Sequence, residues 1–184
     1  MLFNSFGFLI FFIITTTSYF ALQHKYRWLL LLIASCIFYM YLIPVYILIL
    51  FFTIIVDYFA GILLEKSPKE HKKLYLLLSL VANIGILAFF KYYNFFTDNI
   101  NALSHSFPFL KTRLPHLSFL LPIGLSFHTF QAMSYTIEVY RGNQKAERHF
   151  GIYALYVMFY PQLVAGPIER PQNILPQLHE KKNL

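Results

Sequence analysis

One predicted membrane helix carries polar side chains that could do chemistry. At 100° per residue, five residues of this helix fall within about 80° of one another and so share a face. These residues are Gly124, His128, Gln131, Tyr135 and Glu138. Ionisable groups at membrane depth usually face a bundle interior or a wet cavity, so this face is predicted to point inward. Two roles fit it: hydrogen bonding to neighbouring helices, with Glu138 at the interface beside Arg141, or lining a path for a substrate.

A second polar stretch follows at residues 159–171, FYPQLVAGPIERP. It combines a predicted helix stop at Pro161 with the small residues Ala165 and Gly166 and the polar residues Gln162, Glu169 and Arg170. Non-helical backbone at membrane depth is tolerated only where protein buries it or water reaches it. The segment is therefore expected to end short of the far side, to line a cavity, or to leave the bilayer at Pro161 as a surface turn.

The sequence lacks the common catalytic signatures. It contains no phosphate-binding glycine loop, no HExxH, no GxSxG and no His/Cys cluster with metal-ligand spacing, so neither a metal site nor a bound cofactor is predicted. The single cysteine, Cys36, lies inside an apolar run, which excludes a disulfide framework. Asp57 is expected to be structural and close enough to the cytoplasmic end of its helix to reach headgroups or Lys66. Asn83 is expected to hydrogen-bond between helices.

The elements that must position these residues are membrane helices. Hydrophobic residues make up 58% of the 184 residues and charged residues 12%, against roughly 25% charged residues in soluble domains. The mean hydropathy is +0.55. This composition predicts an all-α membrane protein, a polytopic helical bundle. The net charge of +7 is expected to reflect basic flanks of the spans and not a nucleic-acid-binding surface, because basic residues form short clusters between apolar runs.

The hydrophobic pattern predicts a single transmembrane domain over residues 1–184 with about six segments, the sixth of them broken. The predicted spans are 3–22, 28–42, 45–64, 74–93, 119–140 and 152–168. Pro44 separates the second from the third, since proline removes an amide donor and disfavours helix at the preceding residue. Residues 94–118 mix polar and aromatic side chains with two prolines and are predicted to form an interfacial loop or helix.

The basic residues of the loops predict the orientation. One side carries Lys25, Arg27, Lys66, Lys69, Lys72, Lys73, Arg141, Lys145 and Arg148, and the other carries Lys91, Lys111 and Arg113. Because cytoplasmic loops are enriched in Lys and Arg, the first set is expected in the cytoplasm and the N-terminus outside.

Two stretches together resemble a known family. They are LPIGLSFHTFQAMSYTIEVYRG at residues 121–142 and ALYVMFYPQLVAGPIERPQNILPQL at residues 154–178, and they look like the membrane-bound O-acyltransferase family, in particular its bacterial branch similar to alginate O-acetyltransferase. The earlier YRWLLLLIASCIFYMYL and FFKYYNF are similar to that branch too, so the resemblance covers nearly the whole chain. It implies a helical fold around a tunnel in the bacterial inner membrane. There an acyl group, in this branch acetyl, passes from a cytoplasmic thioester donor, acetyl-CoA or an acyl carrier, to a hydroxyl of an exported polysaccharide such as alginate.

The same resemblance implies roles for the polar residues. The tunnel wall would include Pro161, Gln162, Gly166, Pro167, Glu169 and Arg170, supported by His128, Gln131, Tyr135 and Glu138. The family's essential histidine belongs to a later membrane segment, beyond Leu184. No catalytic residue is therefore expected in this chain, which is expected to be an N-terminal portion.

Several functions remain open at this point. The chain is expected to be the N-terminal portion of an O-acyltransferase, with the lipid bilayer, a polysaccharide acceptor, envelope acyl-transfer proteins and a missing C-terminal half as partners. The alternatives are a non-catalytic integral-membrane assembly or interaction subunit and a truncated inactive fragment. A small transporter is disfavoured, because the sequence has no internal repeat and no deeply buried charge pair.

Overall fold

The chain folds into seven helices within the residues that the structure, a computed structural model, describes. These residues are 3–41, 44–106, 114–117, 124–163, 166 and 169–181. The helices are α1 (Phe6–Ala21), α2 (His24–Met40), α3 (Tyr46–Lys66), α4 (Lys69–Ser106), α5 (Leu125–Arg141), α6 (Phe150–Met158) and α7 (Pro171–His179). No strand occurs in these ranges, which confirms the all-α class.

Two of the helices, α3 and α4, are long and apolar enough to cross a membrane by length and composition. The first helix, α1, is also apolar but has 16 residues. Large apolar side chains on α1, α3 and α4 are exposed on the outside of the bundle, for example Phe6, Leu48, Phe59 and Val81. An apolar exterior around a packed interior is what a lipid environment requires, and it supports a membrane location.

The bundle has two packed groups of helices. In the first, α3, α4 and α5 contact one another; in the second, α2 packs on α6, with α1 outside α2 and α7 against α6. The tyrosines Tyr135, Tyr153 and Tyr156 lie where the two groups meet and are fully buried. The ring centroids of Tyr135 and Tyr153 are 4.6 Å apart, so aromatic packing joins α5 to α6.

A buried polar cluster joins the first group. The Asp57 carboxylate on α3 accepts hydrogen bonds from Ser79 Oγ at 2.6 Å and from Asn83 Nδ2 at 2.8 and 2.9 Å, both on α4. Asp57 is fully buried, so it does not extend to headgroups or to Lys66 as the sequence allowed. Two donors on the neighbouring helix satisfy the carboxylate inside the bundle, and Asn83 does bond between helices.

The fourth helix runs further than its predicted span of 74–93. Its 38 residues make about 57 Å of helix, and the helix continues through Asn94–Ser106, where an interfacial loop or helix was predicted. The amide groups of Asn94 and Asn101 each exchange two hydrogen bonds with backbone, Asn94 with Leu117 and Asn101 with Leu114. These polar side chains therefore hold the non-helical residues 114–117 against α4.

The sixth segment is helical only over α6, whose nine residues span about 13 Å. The helix ends at Met158, three residues before the predicted stop at Pro161, and residues 159–163 are non-helical. Proline lacks the amide that would bond to the carbonyl of Val157 four residues earlier and disfavours helix at Tyr160. The Val157 carbonyl instead accepts a hydrogen bond from His128 Nδ1 at 2.9 Å.

Other boundaries differ by a few residues. The second helix begins at His24, four residues before predicted residue 28, and it includes the basic cluster that was assigned to a loop. The seventh helix was not predicted; it begins at Pro171, and proline suits a first helical turn because its missing amide has no helical partner there. Three residues used to predict where segments begin, end or break lie outside the described residues: Ile43, Pro122 and Ala165.

Two glycines at the ends of α5 allow a matched test of this packing. Gly124 has φ +81° and Gly142 has φ +80°, a left-handed conformation that costs other residues roughly 1–2 kcal/mol. A Cβ on Gly124 would overlap the carbonyl oxygen of Leu163, whereas a Cβ on Gly142 would meet nothing within 4 Å.

We predict that Gly124→Ala destabilises the protein by about 2 kcal/mol more than Gly142→Ala, because only the first substitution pushes two backbone segments apart. Thermal unfolding of both variants in one detergent measures the difference. Equal losses of stability would show that Leu163 does not press on Gly124.

Candidate functional site

The polar face of α5 points into the protein. His128, Gln131 and Tyr135 are buried, and Glu138 is 9% exposed at the end of the helix. The face packs towards α3, α6 and α7, so its four polar side chains meet different neighbours.

His128 supports the end of α6. Because the Val157 carbonyl can only accept, Nδ1 of His128 carries the proton, and Nε2 is left as an acceptor. Nε2 is buried and has no partner among the described residues. The ring of Tyr39 lies edge-on, 5.9 Å away. No carboxylate in the described part of the chain hydrogen-bonds to this imidazole, and the partner that orients the ring is the Val157 carbonyl.

Gln131 is the least satisfied residue of the face. Both atoms of its side-chain amide are buried and have no hydrogen-bond partner in the described ranges. The hydroxyls of Tyr39 and Tyr153 are also buried without a hydrogen-bond partner among these residues. Buried polar groups in proteins bond to protein, to ordered water or to a ligand. The interior near Gln131 is therefore the part of this face where water or a ligand group would find free polar atoms.

Tyr135 and Glu138 hold segments together. The Tyr135 hydroxyl accepts a hydrogen bond from the Glu147 amide at 2.9 Å, which ties α5 to the segment before α6. Glu138 accepts from Asn143 Nδ2 at 3.0 Å and from Gln172 Nε2 at 2.6 Å, which ties α5 to α7. The Arg141 guanidinium lies 3.5 Å from the same carboxylate.

The predicted tunnel residues in the stretch 159–171 differ in how far they are exposed. Pro161 and Arg170 are exposed, while Gln162 and Glu169 are partly buried. Gly166 lies so close to Gln162 that a Cβ on it would be 2.6 Å from the Gln162 Cα. Pro167 lies outside the described residues.

Gln162 and Glu169 share the wall of a cavity of about 690 Å³. This large cavity lies between α1, α2, the non-helical residues after α6, and α7. Most of its polar lining consists of neutral hydroxyl and amide groups, with one carboxylate. The polar residues are Thr15, Thr16, Tyr19, Tyr160, Gln162, Glu169, Asn173 and Gln177. None of the four polar side chains of the α5 face lines it.

Sequence reasoning therefore found two residues of this cavity and missed the rest. Thr15 and Thr16 belong to a run of three threonines inside the otherwise apolar α1, a signal that could have marked the wall. Asn173 and Gln177 are four residues apart, one turn of α7, but that helix was not predicted. Among the described residues, no group of His, Cys, Asp or Glu could hold a metal ion.

Comparison with known proteins supports the resemblance read from the two motif stretches. The chain is 34% identical over 184 residues to the probable alginate O-acetylase AlgI of Pseudomonas aeruginosa, which covers 98% of this chain and 35% of the relative. The corresponding protein of Pseudomonas syringae pv. tomato is 36% identical, with the same two shares. The chain belongs to the membrane-bound O-acyltransferase family.

A relative with a different name gives the same result. The peptidoglycan O-acetyltransferase of Helicobacter pylori is 33% identical over 178 residues, covering 83% of this chain and 33% of the relative. The chain thus spans about a third of the length of the relatives it matches. No family model and no solved structure matches the chain.

The contacts of Glu138 lead to a prediction about α7. Replacing Glu138 by Leu removes the acceptor of Gln172, and hydrogen bonds to charged groups contribute about 1.5–3 kcal/mol. We expect Glu138→Leu to raise amide hydrogen exchange in residues 171–179 by about tenfold or more, as measured by mass spectrometry of the purified protein.

An exposed residue of the same helix provides the control. Phe130 is 50% exposed, and Phe130→Leu should leave exchange in α7 unchanged. If both variants exchange like the parent protein, Glu138 does not hold α7 in place.

Proposed function

We propose that this chain is the N-terminal portion of a membrane-bound O-acyltransferase that passes an acetyl group to a hydroxyl of an exported polysaccharide, such as alginate or peptidoglycan. The observation that carries this proposal is the similarity along almost the whole chain to relatives named for alginate and peptidoglycan O-acetylation. The large cavity supports it, because a transferase of this kind needs a place for a donor or an acceptor within its helices.

The large cavity is the part of this chain that we assign to substrate. Its threonine, tyrosine, asparagine and glutamine side chains can hydrogen-bond to a neutral, flexible chain containing amides or hydroxyls. Two of the proposed tunnel residues line the large cavity: Gln162 and Glu169, which lie on the non-helical backbone after α6. A thioester donor such as acetyl-CoA or an acyl carrier is the ligand that we propose for it.

Acyl transfer also needs a base close to the hydroxyl proton and donors for the developing oxyanion. His128 has an acceptor nitrogen, Nε2, but no described carboxylate hydrogen-bonds to the ring to stabilise the imidazolium that proton abstraction would form. We therefore propose that the base comes from a segment that the longer relatives have and this chain does not. The alternatives of a non-catalytic subunit or an inactive fragment would need no such segment.

The membrane arrangement that we propose has six hydrophobic segments. In it, α1 to α5 cross the bacterial inner membrane, and α6 with the non-helical residues after it forms a broken sixth segment. The basic residues near Lys25, Lys66 and Arg148 are assigned to the cytoplasm and the N-terminus to the outside.

Cysteine labelling tests this topology. In a Cys36→Ala background, we predict that an impermeant thiol reagent labels Asn99→Cys in intact spheroplasts, whereas Ser67→Cys reacts only after the membrane is opened. Asn99 lies on the long C-terminal part of α4, and Ser67 follows α3 at the predicted cytoplasmic end. Labelling of Ser67→Cys but not Asn99→Cys in sealed cells would reverse the orientation.

Activity is predicted to require more than this chain. We expect the purified 184-residue chain neither to transfer acetyl to alginate or peptidoglycan fragments nor to hydrolyse acetyl-CoA above background. Co-expression with the part of the Pseudomonas aeruginosa relative that lies beyond the matched region should restore transfer, measured with radiolabelled acetyl donor.

Four variants make this experiment decisive. Turnover by the chain alone that is lost in His128→Ala and kept in Phe130→Ala would show that α5 itself supplies the base. In the co-expressed pair, Gln162→Ala and Glu169→Ala should raise the KM for the donor if the large cavity binds it.

A further inference from the structure

Four lysines form a basic patch where α3 ends and α4 begins. Lys66 is the last residue of α3 and Lys69 the first of α4, and Lys72 and Lys73 follow about one turn later. Lys66, Lys69 and Lys73 are exposed, and none of the four lysines makes an ion pair within the described ranges. The basic patch is separate from the large cavity and from a smaller cavity of about 190 Å³ beside it, because its residues line neither.

The lysines of α4 occupy positions that the helix itself disfavours. The N-terminus of a helix carries a partial positive charge and is stabilised by anions, yet α4 begins with a lysine, and the acidic residue of its first turn is Glu70. Lys69 lies three residues before Lys72 and four before Lys73, on one side of the helix, where like charges repel. An anion from outside the chain would relieve this repulsion.

The depth of the basic patch follows from the apolar side chains beside it. Leu63 on α3 and Leu74 and Leu78 on α4 are exposed, as a lipid environment requires. Leu74 directly follows Lys73, so the patch begins where the apolar surface ends. Lysines at such a boundary extend their ammonium groups to the headgroups while their stems cover apolar surface. The patch therefore lies at the depth of the lipid phosphates.

The shape of the junction favours lipid over an acidic protein as the partner. Two residues, Ser67 and Pro68, separate α3 from α4, and Ser67 is half-buried, so the basic patch does not project beyond the helix ends. A folded protein would have to enter the headgroup layer to contact it, whereas lipid phosphates lie at its own depth. Phosphate oxygens accept charge-assisted hydrogen bonds from lysine, and basic clusters beside membrane helices attract anionic lipid.

We infer that the basic patch binds the phosphate groups of anionic phospholipids in the adjacent leaflet. Lys69 and Lys73 are about one helical turn apart, a spacing at which two ammonium groups can share one phosphate, and Lys66 adds a third charge from the end of α3. The first amides of α4 have no helical carbonyl partner and add donors on the same side. The inference rests on the patch and does not depend on the proposed acetyl transfer or on the orientation of the chain.

Thermal unfolding in nanodiscs tests this inference. The purified chain is reconstituted in phosphatidylcholine alone and with an increasing share of phosphatidylglycerol, because a lipid that binds only the folded protein raises the Tm. We expect the double variant Lys69→Gln/Lys73→Gln to lose about half of this rise or more, because two of the four charge-assisted donors are removed. In phosphatidylcholine alone the same variant should be at least as stable as the parent protein, since repulsion at the start of α4 is relieved.

A second double variant with the same change of charge provides the control. Lys145→Gln/Lys181→Gln replaces two exposed lysines outside the basic patch and outside both cavities. Lys145 is on the same predicted side of the membrane, and Lys181 follows α7, whose last residue, His179, contacts Glu147 on that side. This variant should keep the rise in Tm with phosphatidylglycerol.

Each outcome decides for or against the site. A rise in Tm that is reduced in the patch variant and kept in the control supports it. No rise in the parent protein, a full rise in the patch variant, or equal losses in the two variants overturns it. A rise with polyglutamate in phosphatidylcholine nanodiscs and none with phosphatidylglycerol would assign the patch to an acidic protein and also overturn it. If the double variant does not fold, Lys73→Gln alone is measured in the same lipids by the same criteria.

Discussion

The buried carboxylate of Asp57 is the interaction on which the first group of helices depends. An unpaired charge in a bundle interior is so costly that donors must meet it, and both donors, Ser79 and Asn83, come from α4. Lipid is as apolar as the helices themselves, so hydrophobic burial does little to align one helix with another in a membrane. The carboxylate therefore sets the register of α3 on α4, and Ser79 Oγ extends the cluster to Thr136 Oγ1 on α5 at 3.3 Å.

A chain of close contacts connects that register to the rest of the protein. Gly61, one turn beyond Asp57, leaves room for the Tyr135 ring, because a Cβ there would lie 2.7 Å from the ring. The Tyr135 hydroxyl then holds the Glu147 amide just before α6, and Glu138 holds Gln172 on α7. The position of the wall of the large cavity thus follows, through α5, from a polar cluster that has no contact with it.

Pro161 and His128 show how the non-helical segment is tolerated. Proline withholds an amide from the Val157 carbonyl, which would be left without a partner in the interior. His128 donates to that carbonyl, and the Tyr160 amide beyond it donates to Ser35 Oγ on α2 at 3.1 Å. His128, which the sequence suggested for a substrate path, therefore has a structural role: it provides a hydrogen-bond donor for the carbonyl that the end of α6 leaves free. The Nε2 atom of His128 and the side-chain amide of Gln131 have no such role, since they lack a hydrogen-bond partner among the described residues.

Periodicity predicted the features that repeat along one helix and failed where the fold brings separate segments together. The inward face of α5 was visible because five residues recur at helical spacing, and apolar runs located most of α1, α3 and the first part of α4. For residues 94–118 the sequence left an interfacial loop and a helix both open, because the partners of Asn94 and Asn101 at residues 114–117 are visible only in the structure. The seventh helix is polar and contains Pro176, so neither hydropathy nor propensity indicates it.

The two cavities illustrate why a site needs the tertiary structure. Their walls take threonines from α1, basic residues from the start of α2, two residues of the non-helical stretch and amides from α7, and these lie up to about 160 positions apart in the sequence. Apart from the run of threonines in α1, none of these groups is conspicuous by itself, since a lysine at the end of an apolar helix is ordinary. Together they line two neighbouring cavities with wall residues in common, one lined mainly by neutral hydroxyl and amide groups and the other by basic side chains and histidines.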